Sequence, residues 1–462
     1  MRILLVVYDN DAYIHVFTSG LAYIAAILEN EGYDVEVYSQ DKFHYPDEHL
    51  TEYLNNNKFD VVGVSVIAGY YQYRKLIKIS EAINRSRNRP FYIIGGHGPS
   101  PEPEFFCKLT QADAIVIGEG EVTISELLKA VADRKPLNSV KGIAYREGDK
   151  VFKTGDRTMI KDIDTIPFPA YHLFPIDYYR LRRAPHTVNS DFVMDVIAGR
   201  GCKFRCNFCY RLDKGFRPRS AENLIEEIQL LKKNYGITYA VFQDELLMSS
   251  IERTTELCEG FLKAKLNIKW NCNGRLNFAK PDVLKLMKKA GCVLINYGIE
   301  AMDDLVLKNM QKALTTKLII KGIEATLVAG ISPGLNILFG NIGDNKKTLN
   351  KGVEFLLRYD DGAQLRTIRP VTPYPGSPLY YYAIEKGLLK DCHDFYENKH
   401  VNSDLLSINF TDMSDNEFHH SLMEANNRLL TNHFQKKLGL AIEETQRLYL
   451  QKNANFRGFR HT

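Results

Sequence analysis

The reading of this chain turns on Gly199-Arg200-Gly201-Cys202-Lys203-Phe204-Arg205-Cys206-Asn207-Phe208-Cys209-Tyr210. The run before it, 192–198, is apolar and β-branched and predicts a strand. Three thiols therefore stand on one short loop behind a strand, at spacings of four and three, with a glycine on either side of Arg200. One loop of this kind can wrap one cluster. Iron–sulfur clusters prefer thiolate ligands, and a four-iron cubane held by three cysteines keeps one iron open to another ligand. Structural zinc is the competing reading. Zinc wants four closed ligands, however, and no second Cys-x-x-Cys or histidine partner stands elsewhere at usable spacing.

Downstream of the loop, strand candidates recur at 239–244, 269–273, 293–300, 335–339 and 364–371. Helical spacing fills the gaps at 222–235, 252–264, 281–290, 317–328 and 347–357. With 192–198 this makes about six βα units where a full barrel needs eight, so a partial (β/α)6 barrel, open at one side, is expected over 190–378. The remainder, 379–462, reads as mainly helical, with 415–434 and 438–450 the clearest segments.

Upstream, 1–146 alternates short apolar runs at 3–8, 34–39, 61–67, 91–96 and 114–118 with helical patterns at 21–31 and 73–85. This is the pattern of a doubly wound, Rossmann-like parallel sheet. Ligands of such sheets sit beyond the carboxyl ends of the strands. The loops there are Ala68-Gly69-Tyr70-Tyr71, Gly95-Gly96-His97-Gly98-Pro99-Ser100 and Gly118-Glu119-Gly120-Glu121, rich in residues that let backbone approach a cofactor. A dinucleotide would need Gly-x-Gly-x-x-Gly after the first strand, and Tyr8-Asp9-Asn10-Asp11-Ala12 does not supply it. The stretch 147–189, with Pro167, Pro169, Pro175 and Pro185, reads as a linker wrapped over both halves.

The 462 residues carry 60 basic and 56 acidic side chains, a net charge of +4, too small to imply nucleic acid as an obligate partner. The basic tail 457–461 reads as a solvated end. No apolar run is long enough to span a bilayer. The apolar start resembles a signal peptide only until Asp9, Asn10 and Asp11 interrupt it. Eight cysteines, three of them crowded, point to a reducing cytoplasm and a metal site. Cys107, Cys258, Cys272, Cys292 and Cys392 are too scattered for a second cluster, and only Cys272 is expected to have access to the barrel cavity.

The Cys-x-x-x-Cys-x-x-Cys loop, with aromatic Phe208 before its last cysteine and at the end of a first barrel strand, resembles the radical S-adenosylmethionine (SAM) superfamily. The resemblance implies that Cys202, Cys206 and Cys209 hold a 4Fe–4S cluster whose open iron chelates the amino and carboxylate groups of SAM. It implies a 5′-deoxyadenosyl radical that takes a hydrogen atom from the substrate, chemistry that belongs to the cofactors. By the same resemblance Phe208 and Tyr210, then Gln243, Asp244 and Glu245 at the end of the second strand, and Glu300 at the end of the fourth, are SAM contacts. Each polar member reads equally well as a helix cap or an ion pair. Thr372-Pro373-Tyr374-Pro375-Gly376-Ser377-Pro378-Leu379 resembles the turn after the sixth strand in several groups of this superfamily, and reads as a rigid turn.

Gly20-Leu21-Ala22-Tyr23-Ile24-Ala25-Ala26 after the first strand, and Gly118-Glu119-Gly120-Glu121 after the last, make the front domain resemble that of the cobalamin-binding subgroup. The Asp-x-His-x-x-Gly, Ser-x-Leu, Gly-Gly pattern of His-ligated cobalamin proteins survives in part. Ser65-Val66-Ile67 replaces Ser-x-Leu, and the 27 positions 68–94 separate it from Gly95-Gly96. Where aspartate and histidine would stand, Thr18-Ser19-Gly20-Leu21-Ala22-Tyr23 has neither, so the resemblance implies base-off cobalamin without a histidine ligand. The implied cobalamin contacts are Gly20, Leu21, Ser65, Tyr70, Gly95, Gly96, Gly118, Glu119 and Gly120, with Tyr70 or Tyr71 beneath the corrin. His15 and His97 are nearby but read as ordinary loop histidines. The implied activity is methylation of an unactivated carbon, consuming one SAM for the radical and a second to remethylate cobalamin. Oxidative cyclisation with the same cofactors, as in the anaerobic magnesium-protoporphyrin ester cyclase, is the second reading, and a non-enzymatic iron–sulfur or corrinoid carrier the third. A small-molecule, lipid or natural-product substrate and a flavodoxin- or ferredoxin-like electron donor are the expected partners. Tyr374, Tyr380, Tyr381 and Tyr382 suggest a ring-containing substrate or, equally, helix packing.

Overall fold

The computed structural model describes residues 1–462 except 10, 12–15, 213–214, 403, 407, 454 and 456–462. His15 and the tail 457–461 thus lie outside the described residues. Arg2–Val7 (β1) shows why a parallel strand reads as a near-continuous apolar run. Ile3, Leu5 and Val7 enter one core layer and Leu4, Val6 and Tyr8 the other, so both faces are buried. Asp34–Ser39 (β2), Val61–Ser65 (β3), Phe91–Gly95 (β4) and Ala114–Val116 (β5) join it in parallel, in the order β2-β1-β3-β4-β5. Ser19–Asn30 (α1) and Glu121–Ala132 (α6) pack on one face. Asp47–Asn56 (α3), Tyr70–Asn84 (α4) and Pro103–Thr110 (α5) cover the other, and the single turn Gln40–Phe43 (α2) follows β2. The order reverses between β1 and β3, and a crevice opens at the carboxyl ends of such strands.

The sheet does not stop at Arg146. Ile143–Glu147 (β6) and Lys150–Lys153 (β7) extend it as an antiparallel hairpin, closed by the two-residue turn Gly148-Asp149 with Gly148 at φ 60°. The chain then runs through short 3-10 turns over both halves. Phe17 is ringed by Tyr171, Phe174 and Tyr179 at 5.3–5.5 Å, and the buried Tyr171 hydroxyl donates to Glu227 at 2.5 Å.

The second sheet is parallel throughout, in the order β8-β11-β12-β13-β14-β15: Val193–Val196 (β8), Tyr239–Phe242 (β11), Lys269–Gly274 (β12), Cys292–Glu300 (β13), Ser332–Phe339 (β14) and Arg369–Pro370 (β15). A small pair, Gly199–Arg200 (β9) and Arg217–Pro218 (β10), brackets the cysteine loop. The first and last strands do not pair, so the sheet is a half-barrel. Its last strand is only two residues long, because Pro370 and Pro373 offer no N–H to a ladder. The outer helices are Ala221–Tyr235 (α7), Ile251–Lys263 (α8), Pro281–Lys289 (α9), Asp304–Asn309 (α10), Thr316–Val328 (α11) and Lys346–Tyr359 (α12). Ser220, Ser250, Thr315 and Asn345 cap α7, α8, α11 and α12 by accepting first-turn N–H groups.

Strand alternation sends Trp270, Cys272, Ile295, Tyr297, Ile299, Leu335, Ile337 and Phe339 outward into the core beneath these helices, and the lumen face receives Asn271, Asn273, Asn296, Gly298, Glu300 and Asn336. Cys272 is therefore a core thiol beside Cys292, not a cavity residue. Pro378–Glu385 (α13) and Cys392–Asp394 (α14) lead to the hairpin His400–Asn402 (β16) and Leu405–Leu406 (β17). This region packs back on the first sheet, with Tyr396 stacked on Tyr73 at 4.3 Å. Tyr380 is buried in the same layer and Tyr374 packs on Phe395 at 5.8 Å, so these tyrosines serve packing. The two helical segments expected at the end are one helix, Asp415–Tyr449 (α15). Gln435, Lys436 and Lys437 are good helix formers, and a single glycine, Gly439, costs only about 1 kcal/mol.

Candidate active site between the two sheets

The cysteine loop leaves β8 through two glycines that are sterically required. A Cβ on Gly199 would lie 2.7 Å from the Phe216 ring, and Gly201 sits at φ 83°. Buried Asn207 pins the loop's far side. Its N–H donates to Met310 O at 3.0 Å, its carbonyl accepts from Leu379 N at 2.8 Å, and its carboxamide exchanges hydrogen bonds of 3.2 and 3.0 Å with Asn341 at the end of β14. Two cations approach the thiols. Arg275 stacks on Phe204, 3.4 Å from the ring centroid, with Nη1 3.9 Å from Cys206 Sγ. Lys312 lies 5.7 Å from the Phe208 ring and pairs with Glu300 at 2.7 Å, both side chains buried.

Among the described residues no three His, Cys, Asp or Glu side chains are gathered in metal-binding geometry, and the Cys209 thiol is turned toward Tyr210 O at 3.6 Å. Burial holds protons on the Cys202 thiol. Burial and then Cys206 push Cys209 up to about 12 against the pull of Lys312, although this side chain keeps an exposed edge. The donor set itself suits an iron–sulfur cluster: three thiols near enough to repel one another as thiolates, flanked by two cations that offset that charge.

Beside this loop lies a cavity of about 510 Å³ walled by both sheets. The first sheet contributes the ends of β1, β3, β4 and β5, including Ser65, Gly95, Gly96, His97 and residues 118–121, together with Thr18, Gly20 and Leu21. The half-barrel contributes residues 199–201, Leu212, Gln243, Asp244 and Glu245. Ionic contacts join the walls. Arg200 pairs with Glu119 at 2.8 Å and Glu121 at 2.5 Å, Arg217 with Glu119 at 2.9 Å, and His97 with Glu245 at 4.0 Å. Burial alone would raise the Glu119 carboxyl, but hydrogen bonds from Arg217, Arg200 and Ile160 N–H hold it below its ordinary range. Three buried polar atoms in these walls, Thr18 Oγ1 and Glu121 Oε2 from the first sheet and Asp244 Oδ2 from the half-barrel, have no hydrogen-bond partner among the described residues. Burial pushes the Asp244 carboxyl up to about 7, even with Ala198 N–H donating to it at 2.6 Å. Gly96, at φ 103°, admits no Cβ, which would lie 2.4 Å from Val66 O. Around Gly20 and Gly118 a Cβ would meet nothing within 4 Å. Bare backbone and orphan polar atoms around an apolar hollow suit a large ring edged with amides, as a corrin is.

Eleven of the residues expected from sequence line this one cavity: Gly20, Leu21, Ser65, Gly95, Gly96, Gly118, Glu119, Gly120, Gln243, Asp244 and Glu245. The Glu119 carboxylate is committed to Arg200 and Arg217. The Gln243 side chain donates to Asp195 at 2.7 Å. Tyr70 is not in the lining: it packs on Tyr71, Arg74 and His400, because helix α4 starts there and turns its first residues toward the C-terminal hairpin. Tyr71 likewise accepts from Asn402 at 3.2 Å, and neither tyrosine lies beneath the hollow. Phe208 and Glu300 stand together around Lys312 on the barrel side. Tyr210 lies over the Pro375-Gly376 turn, where a Cβ on Gly376 would meet its ring at 2.6 Å. Sequence reasoning missed Arg200, Arg217, Arg275, Lys312 and Asn341. Arg200 and Arg217 sit in the short pair β9–β10 and find their charge partners on the other sheet, whereas Lys312 pairs with Glu300 inside the half-barrel.

An open-sided parallel half-barrel with three cysteines after its first strand, facing a doubly wound sheet across a shared hollow, defines a class: radical SAM enzymes with a corrinoid-type front domain. The comparisons agree. The Radical SAM superfamily profile matches residues 196–356 and the B12 binding domain profile residues 6–128. The uncharacterized methyltransferase PH0819 of Pyrococcus horikoshii is 30% identical over 376 residues, covering 80% of this chain and 79% of that one. The anaerobic magnesium-protoporphyrin IX monomethyl ester cyclase of Rubrivivax gelatinosus is 27% identical over 374 residues, 78% and 65% of the two chains. Among solved structures, the radical SAM methyltransferase TsrM of Kitasatospora setae, with cobalamin and a [4Fe-4S] cluster bound, superposes with TM-score 0.70 at 18% identity over 85% of this chain and 79% of that one. OxsB, a cobalamin-dependent SAM radical enzyme with aqua-cobalamin and SAM bound, gives 0.70 at 17% identity over 97% and 75%. The chain belongs to the cobalamin-binding radical SAM enzymes, whose two domains imply a 4Fe–4S cluster with SAM and cobalamin. No helix among the described residues is long and apolar enough to cross a membrane.

Proposed function

We propose that this enzyme methylates an unactivated carbon of a small-molecule, lipid or natural-product substrate. The observation that carries the reading is the single hollow shared by the β3–β5 loops and the barrel residues 199–201 and 243–245, beside the cysteine loop. A methyl donor and a hydrogen-abstracting centre must view one substrate carbon, and such a hollow gives them a common wall. When bound, the cluster supplies the electron that splits SAM, and cobalamin supplies the methyl group. The chain's own work is positional. Cys202, Cys206 and Cys209 hold the cluster, Asn207 and Asn341 fix their loop, and Arg275 and Lys312 offset its charge. Phe208 and Glu300, with Lys312, bound the SAM side, and Asp244 and Glu245 face the hollow from the second barrel strand. Gly20, Leu21, Ser65, Gly95, Gly96, Gly118 and Gly120 receive the corrin, while Arg200 and Arg217 clamp the two walls together. The arrangement includes no histidine in the Thr18–Tyr23 stretch, in keeping with base-off cobalamin.

Cytoplasmic placement, a flavodoxin- or ferredoxin-like donor and independence from nucleic acid belong to the same proposal, supported by free thiols and near-neutral net charge. Anaerobic reconstitution with iron, sulfide, cobalamin, dithionite and SAM tests it: 5′-deoxyadenosine is released, and Cys206→Ala abolishes release. Absence of release from the wild type refutes an enzymatic role and favours a carrier. The cyclase relative supports oxidative cyclisation as the second reading. A product heavier by CH2, a methyl in place of the abstracted hydrogen, separates the first from one lighter by hydrogen.

A further inference from the structure

The last helix changes the side it hides. The buried residues of α15 are Phe418, Ser421, Leu422, Ala425, Leu429 and His433. Lys436 continues that flank, donating to Asp360 O at 2.9 Å and pairing with its carboxylate at 3.4 Å. On a helical projection these seven positions fall within a sector of about 120°. Beyond His433 a second set of large apolar side chains stands on the opposite side. Phe434, Leu438, Ile442 and Tyr449, with Ala441 and Thr445 among them, occupy a sector of about 100° facing away from the body. They are open to solvent: Phe434 is 60%, Leu438 60%, Ile442 49% and Tyr449 73% exposed. Leu440 and Leu450 are exposed too but lie off this stripe. The stripe is about 24 Å long, too continuous for scattered surface residues.

Its chemistry is complementary to itself when read backwards. An antiparallel pair sets Phe434 against Tyr449, Leu438 against Thr445 and Ala441 against Ile442 of a second copy. Lys437 and Glu444 lie seven residues apart on one edge of the stripe, so the same pairing sets Lys437 of each copy beside Glu444 of the other. A parallel pair would set Lys437 of the two copies on opposite edges, away from Glu444, and crowd the two bodies at one end. A membrane-bound helix would carry a uniformly basic edge, where Glu444 stands instead.

We infer that the exposed half of α15 is a self-association surface on which two copies of this chain pair antiparallel through Phe434, Leu438, Ile442 and Tyr449. Sedimentation of the full chain under oxygen exclusion tests this. The mass rises across the micromolar range from 52.9 kDa toward twice that value. Leu438→Glu stays monomeric with an unchanged far-ultraviolet spectrum. Lys437→Glu and Glu444→Lys each weaken association about three- to tenfold, and the double exchange restores it. A wild type that stays at 52.9 kDa overturns the inference, as does one that stays monomeric yet floats with phosphatidylserine vesicles. A double exchange that fails to restore association overturns the antiparallel register.

Discussion

Filling the hollow from one glycine separates cofactor uptake from folding. Gly20 is the second residue of α1, lines the shared cavity, and a Cβ there meets no atom within 4 Å. It is not among the glycines held at positive φ. Gly20→Phe therefore introduces no backbone strain, removes a poor helix former, and directs a ring into the space assigned to the corrin. The expected change in unfolding free energy is within about 1 kcal/mol of the wild type, and toward stabilisation. Cobalamin affinity is expected to fall at least 100-fold, about 2.8 kcal/mol. The cysteine loop is untouched, so iron content and SAM-dependent release of 5′-deoxyadenosine persist while methyl transfer stops. Visible absorption after desalting reads bound cobalamin, iron analysis reads the cluster, and thermal melting reads the fold. A folded Gly20→Phe protein that retains a full complement of cobalamin refutes the placement of the corrin in this hollow.

Other perturbations probe the same architecture. Gly96→Ala places a Cβ 2.4 Å from Val66 O at φ 103°; about 2–4 kcal/mol of stability should be lost, seen as a lower denaturant midpoint. Asn341→Ala removes the donor to the buried Asn207 Oδ1 and leaves its NH2 only Asn309 O, at a cost of about 1–3 kcal/mol, and iron incorporation should fall although no cysteine is altered. Asp244 has a carboxyl raised from 3.8 to about 7, so its contribution to stability is full below about pH 4 and is lost as pH rises through 7. Asp244→Asn should hence gain on the wild type at pH 8 relative to pH 5, with a ceiling of about 2.6 kcal/mol, and equal melting differences at both pH values would count against a buried neutral acid there. Glu119 behaves oppositely: with its carboxyl held low, its contribution is present above the ordinary glutamate range and disappears as pH falls, so Glu119→Gln should flatten the acid limb of the stability curve.

Much of this was legible in residue order because the physics involved is local. Three thiols within one loop need no tertiary information to be neighbours, and the alternation of apolar runs with helical spacing fixes a parallel α/β layout. The Gly148-Asp149 turn was readable too, yet the sheet was expected to end before it, because the later prolines, Pro167 to Pro185, make 147–189 read as one stretch. Cys272 shows where reading failed: its side chain's direction depends on strand register, and a shift of one residue exchanges lumen and core. Tyr70 shows the same for helices, since the start of α4 rotates it toward the C-terminal hairpin. The two segments 415–434 and 438–450 rest on periodicity alone, and continuous backbone hydrogen bonding joins them into one α15.

By itself the sequence determined the two kinds of sheet, the crowding of Cys202, Cys206 and Cys209 on one loop, and the glycine loops at the strand ends. Only the tertiary structure decided which of those loops face each other. Arg200 and Arg217 find Glu119 and Glu121 from sequence distances of roughly 80 to 100 residues, and Asn207 finds Asn341 across 134. Such pairs are set by how two separately formed sheets dock. Docking depends on summed burial and shape over many residues, a quantity that no local stretch of the chain encodes.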